Sequence, residues 1–192
     1  AYEILRCLVG SVMCIRDSLR IIQLTEHAAL DAAREGFVQA LADNGYVDGD
    51  KIKIDFQNAQ NDQSTLSTIS DRFVSEEVDL VLAIATPAAQ AVAGKTTEIP
   101  ILATAVTDFV VAKLAESNEV PGGNVSGTSD LADLQAQAQM ILDWFPETKT
   151  VGLLFCSAEP NSRYQIEEVA KNLSAKGIET KEFAFTDTND VS

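Results

Sequence analysis

The sequence predicts an α/β protein of two lobes, each built on a parallel sheet with helices on its faces. From Arg20 onward, short apolar runs alternate with segments whose apolar residues recur at helical spacing, in the order βαβαβαβ. A segment rich in glycine, 119–130, then interrupts this pattern. The alternation starts again beyond it, and the units 26–45 and 159–177 match closely in length. We therefore expect two similar lobes joined by a crossover.

Four strands and three helices are expected in the first lobe. The strands are the apolar runs RIIQL, KIKIDF, VDLVLAIA and IPILATA. The first helix ends at Asn44-Gly45, and the second begins at Asp62 or Ser64, both of which are good N-cap residues. The third helix, in TPAAQAVAG, starts with Thr86 as its predicted N-cap. Pro87 follows where a helix tolerates proline best, because that N–H has no partner within the helix.

The second lobe is expected to be incomplete. Its predicted elements are a helix over about 131–145, the strand TVGLLF, a helix that ends at Lys176-Gly177 and the strand IETKEFAF. Only two strands therefore precede Ser192, so the lobe looks truncated. The expected organisation is an extension (1–18), a first α/β lobe (19–120), a hinge or crossover (121–129) and the beginning of a second α/β lobe (130–192).

The first eighteen residues, AYEILRCLVGSVMCIRDS, fit neither an export signal nor the fold. They lack the basic start, long apolar middle and small-residue cleavage site of a secretory signal. CLVGSVMCIRDS also resembles the translation of a sequencing-library adapter. We expect this stretch to be a non-native extension, with a short natural extension as the alternative.

Composition excludes several classes of partner. The 192 residues carry a formal net charge of −15 and 46% hydrophobic residues, with Lys and Arg scattered rather than clustered. A basic stripe for a nucleic-acid backbone is therefore missing from the sequence. The cysteines (Cys7, Cys14 and Cys156) and the single histidine, His27, lack metal-ligand spacing, so neither a metal site nor a cofactor is expected.

Polar residues follow the predicted strands, where a parallel sheet binds its ligands. The strand ends QLTEH, NAQND, ATPAAQ, TAVTD and CSAEPNS contain no Lys or Arg, and no glycine-rich phosphate loop is present. The helix N-terminus behind Thr86 suits a carboxylate. Asp108, Glu26, Glu159 or carbonyl groups near Thr104 would accept from an ammonium, and the two charges together describe an amino acid.

Ordinary structural roles explain the same residues equally well. Thr86 serves as a plain N-cap in that interpretation, and Asp62, Thr107 or Asp108, and Ser162 do the same for other helices. Glu26 and Glu159 are then exposed loop acids. Trp144, the only tryptophan, is expected to pack at a helix end rather than to contact a ligand.

From about Arg20 to Ser192, the chain resembles the substrate-binding proteins of ABC importers, in the branch associated with tryptophan, tyrosine and related amino acids. The resemblance lies in the order and spacing of IIQLTEHAALDAAREGF, DFQNAQNDQSTLSTIS, VDLVLAIATPAAQA, IPILATAVTD, PGGNVSGTSDL, KTVGLLF and SAEPNS. It implies a periplasmic binding protein-like fold with two Rossmann-like lobes that close around an amino acid. It also implies a non-enzymatic monomer that delivers its ligand to a permease.

The resemblance places the ligand-binding loops on twelve residues of this chain. They are Gln23, Glu26, Thr86, Gln90, Thr104, Thr107, Asp108, Ser129, Asp130, Ser157, Asn161 and Ser162. Two departures stand out, because the family typically has proline at the positions of Ala28 and Phe109. Phe109 would either change how the fourth strand leads into its helix or present an aromatic face to the ligand.

The resemblance further implies a location in the periplasm or, by lipid anchoring, at the outer face of the cytoplasmic membrane, although this chain shows no export signal. Two alternatives of other classes stay open. A small-molecule α/β enzyme would use the carboxylates of Glu26, Asp108 and Glu159. The ligand-sensing domain of a transcription regulator would need an upstream DNA-binding helix pair, and none is visible in the sequence.

Overall fold

The structure, a computed structural model, describes residues 17–186. The chain divides into two compact units, with the boundary between Asp130 and Leu131. Most of the predicted extension, 1–16, lies outside the described residues, whereas Asp17 and Ser18 open the first strand. Within the described residues, no helix is long and apolar enough to cross a membrane.

The first unit is a five-stranded parallel sheet with three helices. Its strands are β1 Asp17–Gln23, β2 Ile52–Asn58, β3 Leu80–Ile84, β4 Ile101–Val106 and β5 Val125–Ser129, in the spatial order β2-β1-β3-β4-β5. Its helices are α1 Ala28–Asp43, α2 Gln63–Ser75 and α3 Thr86–Ala93. Every neighbouring pair of strands is parallel. The predicted α/β class, a parallel sheet flanked by helices, is therefore confirmed.

Side chains on both faces of the central strands form the core. Ile22 and Val81 belong to the larger cluster, with Phe73 of α2. Ile21 and Leu82 point to the opposite face, where partly buried residues of α1 cover them. Burial on both faces explains why β1 and β3 appear in the sequence as nearly continuous apolar runs.

Side chains cap the first two helices. His27 is the N-cap of α1 and accepts a hydrogen bond from Ala29 N through Nδ1 at 3.2 Å. Asp62 caps α2, as predicted, and its Oδ1 accepts from the Ser64 hydroxyl and from Thr65 N, both at 2.6 Å. The hydrogen bonds from Ser64 and Thr65 lower the pKa of Asp62 from 3.8 to about 2.

The segment 119–130, in which the sequence predicts a hinge or crossover, contains a strand of the first sheet. Val125–Ser129 forms β5, which pairs with β4, and the Val125 side chain is buried. A Cβ atom at Gly127 would lie 1.8 Å from the carbonyl oxygen of Ala103. Glycine is therefore required there by the close approach of two strands, which the sequence alone presents as a loop signal.

Strained backbone collects where the strands of the first sheet end. Four non-glycine residues have positive φ there: Gln60 (54°), Asn61 (60°), Ala85 (85°) and Ala105 (54°). Ala85, with ψ of 151°, occupies a region that is almost exclusive to glycine. Such conformations cost about 1–3 kcal/mol each and concentrate at functional sites.

The second unit has two parallel strands and two helices. Its strands are β6 Thr150–Cys156 and β7 Glu179–Phe185, and its helices are α4 Leu134–Trp144 and α5 Pro160–Ser174. Leu153 and Phe155 are buried on one face, whereas Leu154 and Phe183 are exposed. Trp144 is 72% exposed at the last position of α4, so the expectation that it packs is wrong.

Candidate functional site

The predicted ligand residues of the first unit lie at one edge of the sheet. The register pairs Gln23 with Ile84, Ile84 with Thr104, and Val106 with Ser129. The carboxyl ends of β1, β3, β4 and β5 are therefore neighbours. This is the edge at which open parallel sheets bind their ligands.

Thr86 begins α3 but does not cap it, contrary to the sequence prediction. Ala85 is the N-cap residue and no side chain caps the helix, so Thr86 is the first helical residue. The first backbone bond of the helix runs from Ala89 N to Ala85 O at 3.1 Å. The N–H groups of Thr86 and Ala88 are thus left for another acceptor. Ala88 and Ala89 are fully buried, so their small size lets α3 pack closely on the core.

A chain of hydrogen bonds joins Thr86, Thr107 and Ser129. The Thr86 hydroxyl oxygen lies 3.4 Å from Thr107 N, from which it accepts a long hydrogen bond. The Ser129 hydroxyl donates to the Thr107 carbonyl oxygen at 2.7 Å. Thr86 and Thr107 are buried, at 2% and 7% exposed, whereas Ser129 is exposed. The structure therefore connects three of the predicted residues across β3, β4 and β5.

Asp108 and Gln90 organise the segment that follows β4. Asp108 Oδ1 accepts from Val110 N and Val111 N, each at 2.8 Å, and Gln90 Nε2 donates to the Ala112 carbonyl oxygen at 3.0 Å. Both side chains are therefore engaged within the first unit. The Asp108 carboxylate serves as a cap, one of the two roles that the sequence left open.

Phe109 does not present an aromatic face to the sheet edge. Its side chain is 6% exposed and belongs to the larger core cluster. The residues after it form turns, 109–113, where a helix was expected. The structure therefore does not support the expected aromatic face, and a changed path after β4 stays a prediction.

Thr104 stands apart from the cluster formed by Thr86, Thr107 and Ser129. Its Oγ1 lies 3.0 Å from Oγ1 of Thr128, and the two hydroxyl groups share a hydrogen bond. Strand alternation places Thr104 on the face opposite to buried Ala103. The structure therefore pairs Thr104 with β5 rather than with the other predicted residues.

Gln23 is fully buried at the end of β1. Its Nε2 donates to the Thr25 carbonyl oxygen at 2.7 Å and to Asp31 Oδ1 at 2.9 Å. Its Oε1 is buried and accepts no hydrogen bond from any residue between 17 and 186. An unpaired buried acceptor costs about 1–3 kcal/mol. Gln23 is therefore placed to support the loop behind β1, because Thr25 and Asp31 already engage its amide donor.

Asp31 and Arg34 were missed by the sequence analysis. Asp31 lies in the first turn of α1, and Arg34 NH2 lies 3.6 Å from Asp31 Oδ1. The guanidinium of Arg34 also stacks 4.2 Å from the centre of the Phe56 ring. An acid one turn into a helix carries no distinctive sequence signal. Only the fold shows that this one meets Gln23.

Two acids at the sheet edge are exposed. Glu26 lies in the β1–α1 loop next to the N-cap His27. Asp130 follows β5, and its backbone N–H donates to the Val106 carbonyl oxygen at 3.0 Å. Of these two carboxylates, Glu26 lies in the loop that the Gln23 amide holds.

The predicted residues of the second unit surround the connection from β6 to α5. The Ser157 hydroxyl donates to the Phe185 carbonyl oxygen at 3.1 Å, and the Ser162 hydroxyl donates to Glu159 Oε2 at 3.1 Å. Asn161 is the second residue of α5. These three side chains therefore share the carboxyl end of β6, with Glu159 already holding Ser162. In the described part of the chain, no three His, Cys, Asp or Glu side chains are grouped as metal ligands.

Comparison with known proteins gives one consistent family. The sequence profile described as ABC transporter substrate binding protein matches residues 18–192. A tyrosine-binding protein of Clostridioides difficile (strain R20291) is 44% identical over 175 residues, which are 91% of this chain and 51% of that protein. The chain thus spans about half the length of this curated relative.

Two solved structures are similar in fold and in sequence. The ABC domain from Streptococcus pneumoniae in complex with L-Trp is 38% identical with a TM-score of 0.86, over 92% of this chain and 59% of that one. A ligand-free, open substrate-binding protein with adhesive properties from Clostridium difficile is 45% identical with a TM-score of 0.67, over 91% and 59%. From the profile match and these identities, we conclude that the chain belongs to the ABC transporter substrate binding protein family.

Proposed function

We propose that this chain supplies ligand-binding residues to the substrate-binding component of an ABC importer, and that its ligand is an aromatic or hydrophobic amino acid. The carboxyl edge of the first sheet carries the proposal. It combines the uncapped start of α3 with the exposed carboxylate of Glu26 on the neighbouring loop. One relative is described as a tyrosine-binding protein and another is solved in complex with L-Trp, which supports the same ligand class.

The chemistry of this edge suits a zwitterion. The N–H groups of Thr86 and Ala88 and the Thr86 hydroxyl offer hydrogen bonds and the positive end of a helix dipole to a carboxylate. Glu26 offers a negative charge to an ammonium. The strand-end segments contain no Lys or Arg, so a phosphate would find no cation among them.

The remaining predicted residues have supporting or separate roles in this proposal. Thr107 and Ser129 join Thr86 to the end of β4, whereas Gln90 and Asp108 hold the segment after β4. Ser157, Asn161 and Ser162 would supply the contacts of the second lobe. Enclosure of the ligand between two lobes, which the family resemblance implies, stays a prediction.

Family membership implies a binding role without catalysis and a place outside the cytoplasmic membrane. We extend this to delivery to a permease by a monomer that is either periplasmic or lipid-anchored. The alternative of an enzyme using Glu26, Asp108 and Glu159 finds little support. Asp108 is engaged with two backbone N–H groups, and Glu159 accepts from Ser162.

A thermal-shift panel on the full-length protein tests the proposal. We expect aromatic or hydrophobic L-amino acids to raise Tm, because a ligand at 100 times its Kd stabilises the native state by about 2.7 kcal/mol. D-glucose and ATP serve as controls and should leave Tm unchanged. A Tm shift with a control compound and none with any common amino acid would show that the proposed ligand class is wrong.

A further inference from the structure

One side chain inside the fold holds the loop between β1 and α1. The Gln23 amide donates to the Thr25 carbonyl oxygen at 2.7 Å and to Asp31 Oδ1 at 2.9 Å. The first bond fixes the loop backbone one residue before Glu26. The second ties the same amide to the first turn of α1. The two sides of the loop are thus joined through a single nitrogen atom.

Packing alone does not explain a glutamine at this position. Its Oε1 is buried without a hydrogen-bond partner among residues 17–186, and an unpaired buried acceptor is destabilising. Methionine would fill a similar volume without that penalty. The amide is therefore retained for its two donated bonds, and both of these end at the junction of the loop and the helix.

We propose that Gln23 is a positioning residue, which holds the Glu26 carboxylate where the ammonium of an amino acid meets it and which does not touch the ligand. The inference rests on the proposed function and names the ligand group that depends on this support. It also changes the role that the family resemblance implied for Gln23, from contact to support, because its amide donates to Thr25 and Asp31 within the fold.

A double-mutant cycle on the full-length protein tests the proposal, with calorimetric titration of L-tyrosine and L-tryptophan as probes. Gln23→Met should weaken binding about tenfold or more, because Glu26 would then lose its charged hydrogen bond to the ligand ammonium. In a Glu26→Gln background, the same substitution should change affinity less than about twofold, because the positioned group is already absent.

Asn124 provides a matched control at the opposite edge of the sheet. Its Nδ2 also donates to two carbonyl oxygens, those of Thr96 at 3.1 Å and Ile99 at 2.8 Å. Asn124→Leu likewise removes two hydrogen bonds that a side-chain amide donates, at a position distant in sequence from Glu26. It should lower Tm as Gln23→Met does and leave the affinity for both probes unchanged.

Three results would overturn the inference while leaving the proposed function intact. The first is unchanged affinity in Gln23→Met. The second is a loss of affinity on Gln23→Met that is equal in the wild-type and Glu26→Gln backgrounds. The third is a loss of affinity in Asn124→Leu equal to that in Gln23→Met. If Gln23→Met does not fold, Gln23→Asn replaces it, since that amide is one methylene too short for both bonds, and the same cycle applies. If the wild-type protein binds neither probe nor any other amino acid, the proposed function fails and the inference fails with it.

Discussion

Thr86 shows how one side chain can serve both the fold and the ligand. Its hydroxyl oxygen accepts from Thr107 N, and the hydroxyl makes no further hydrogen bond to residues 17–186. The contact to Thr107 N is long at 3.4 Å, so it contributes little to stability. Most of the value of this hydroxyl is therefore expected in binding.

Replacement of Thr86 separates these two contributions. Thr86→Val keeps the shape of the side chain and removes the hydroxyl, so we expect affinity for the amino acid to fall about tenfold to a hundredfold. Tm should change by only a few degrees. Thr86→Ser retains the hydroxyl and should bind within about threefold of the wild type. Calorimetry and thermal melts check both variants, and equal affinity in Thr86→Val would reduce Thr86 to a structural residue.

Asp62 makes the stability of the first unit depend on pH. Its folded pKa of about 2 lies below the ordinary value of 3.8, so its contribution is complete above pH 3.8 and is lost as pH falls towards 2. We expect the difference in unfolding free energy between wild type and Asp62→Asn to shrink across that window. Urea unfolding at pH 5 and pH 2 measures it, and a difference independent of pH would contradict the assignment.

At the scale of elements, β5 shows what a single sequence leaves hidden. The glycines of PGGNVSG predict a loop, yet Gly127 lies in a strand because the Ala103 carbonyl oxygen approaches it too closely for any Cβ. This close contact between two strands depends on the tertiary structure, so the local sequence does not reveal it. The same holds for Ala85, whose positive φ shifts the cap of α3 away from Thr86.

Gly127→Ala tests the reason for this glycine. The new Cβ would lie 1.8 Å from the Ala103 carbonyl oxygen, so β4 and β5 must separate. We expect the free energy of unfolding to fall by about 3 kcal/mol or more. Gly123→Ala is the control, because a Cβ there meets nothing within 4 Å, and it should stay within about 0.5 kcal/mol of wild type. Equal effects of the two substitutions would contradict the packing argument.

The apolar periodicity of the central elements made most of the first unit predictable. β1 and β3 bury both faces and appear as continuous apolar runs, and Asp62 was one of two candidate caps for α2, with Ser64 as the other. The candidate site was harder to predict. The family resemblance suggested Thr86, Thr107 and Ser129, which the structure brings together. The support of the Glu26 loop by Gln23 and Asp31 joins residues whose neighbours only the fold reveals.

At the scale of the whole molecule, the net charge of −15 places limits on recognition. A long-range field of that sign does not attract anions, so a carboxylate must be held by local N–H groups and hydroxyls. An ammonium on the same ligand offsets this repulsion. The charge and the polar sheet edge therefore favour the proposed ligand, which carries both groups.

Calorimetric titration of the full-length protein with L-tyrosine and two of its analogues tests this claim most directly. Tyramine lacks the carboxylate, and 3-(4-hydroxyphenyl)propionate lacks the ammonium. We expect L-tyrosine to bind and each analogue to bind at least about a hundredfold more weakly, because each leaves charged partners unpaired. Binding of either analogue as tight as that of L-tyrosine would contradict recognition of a zwitterion at this edge.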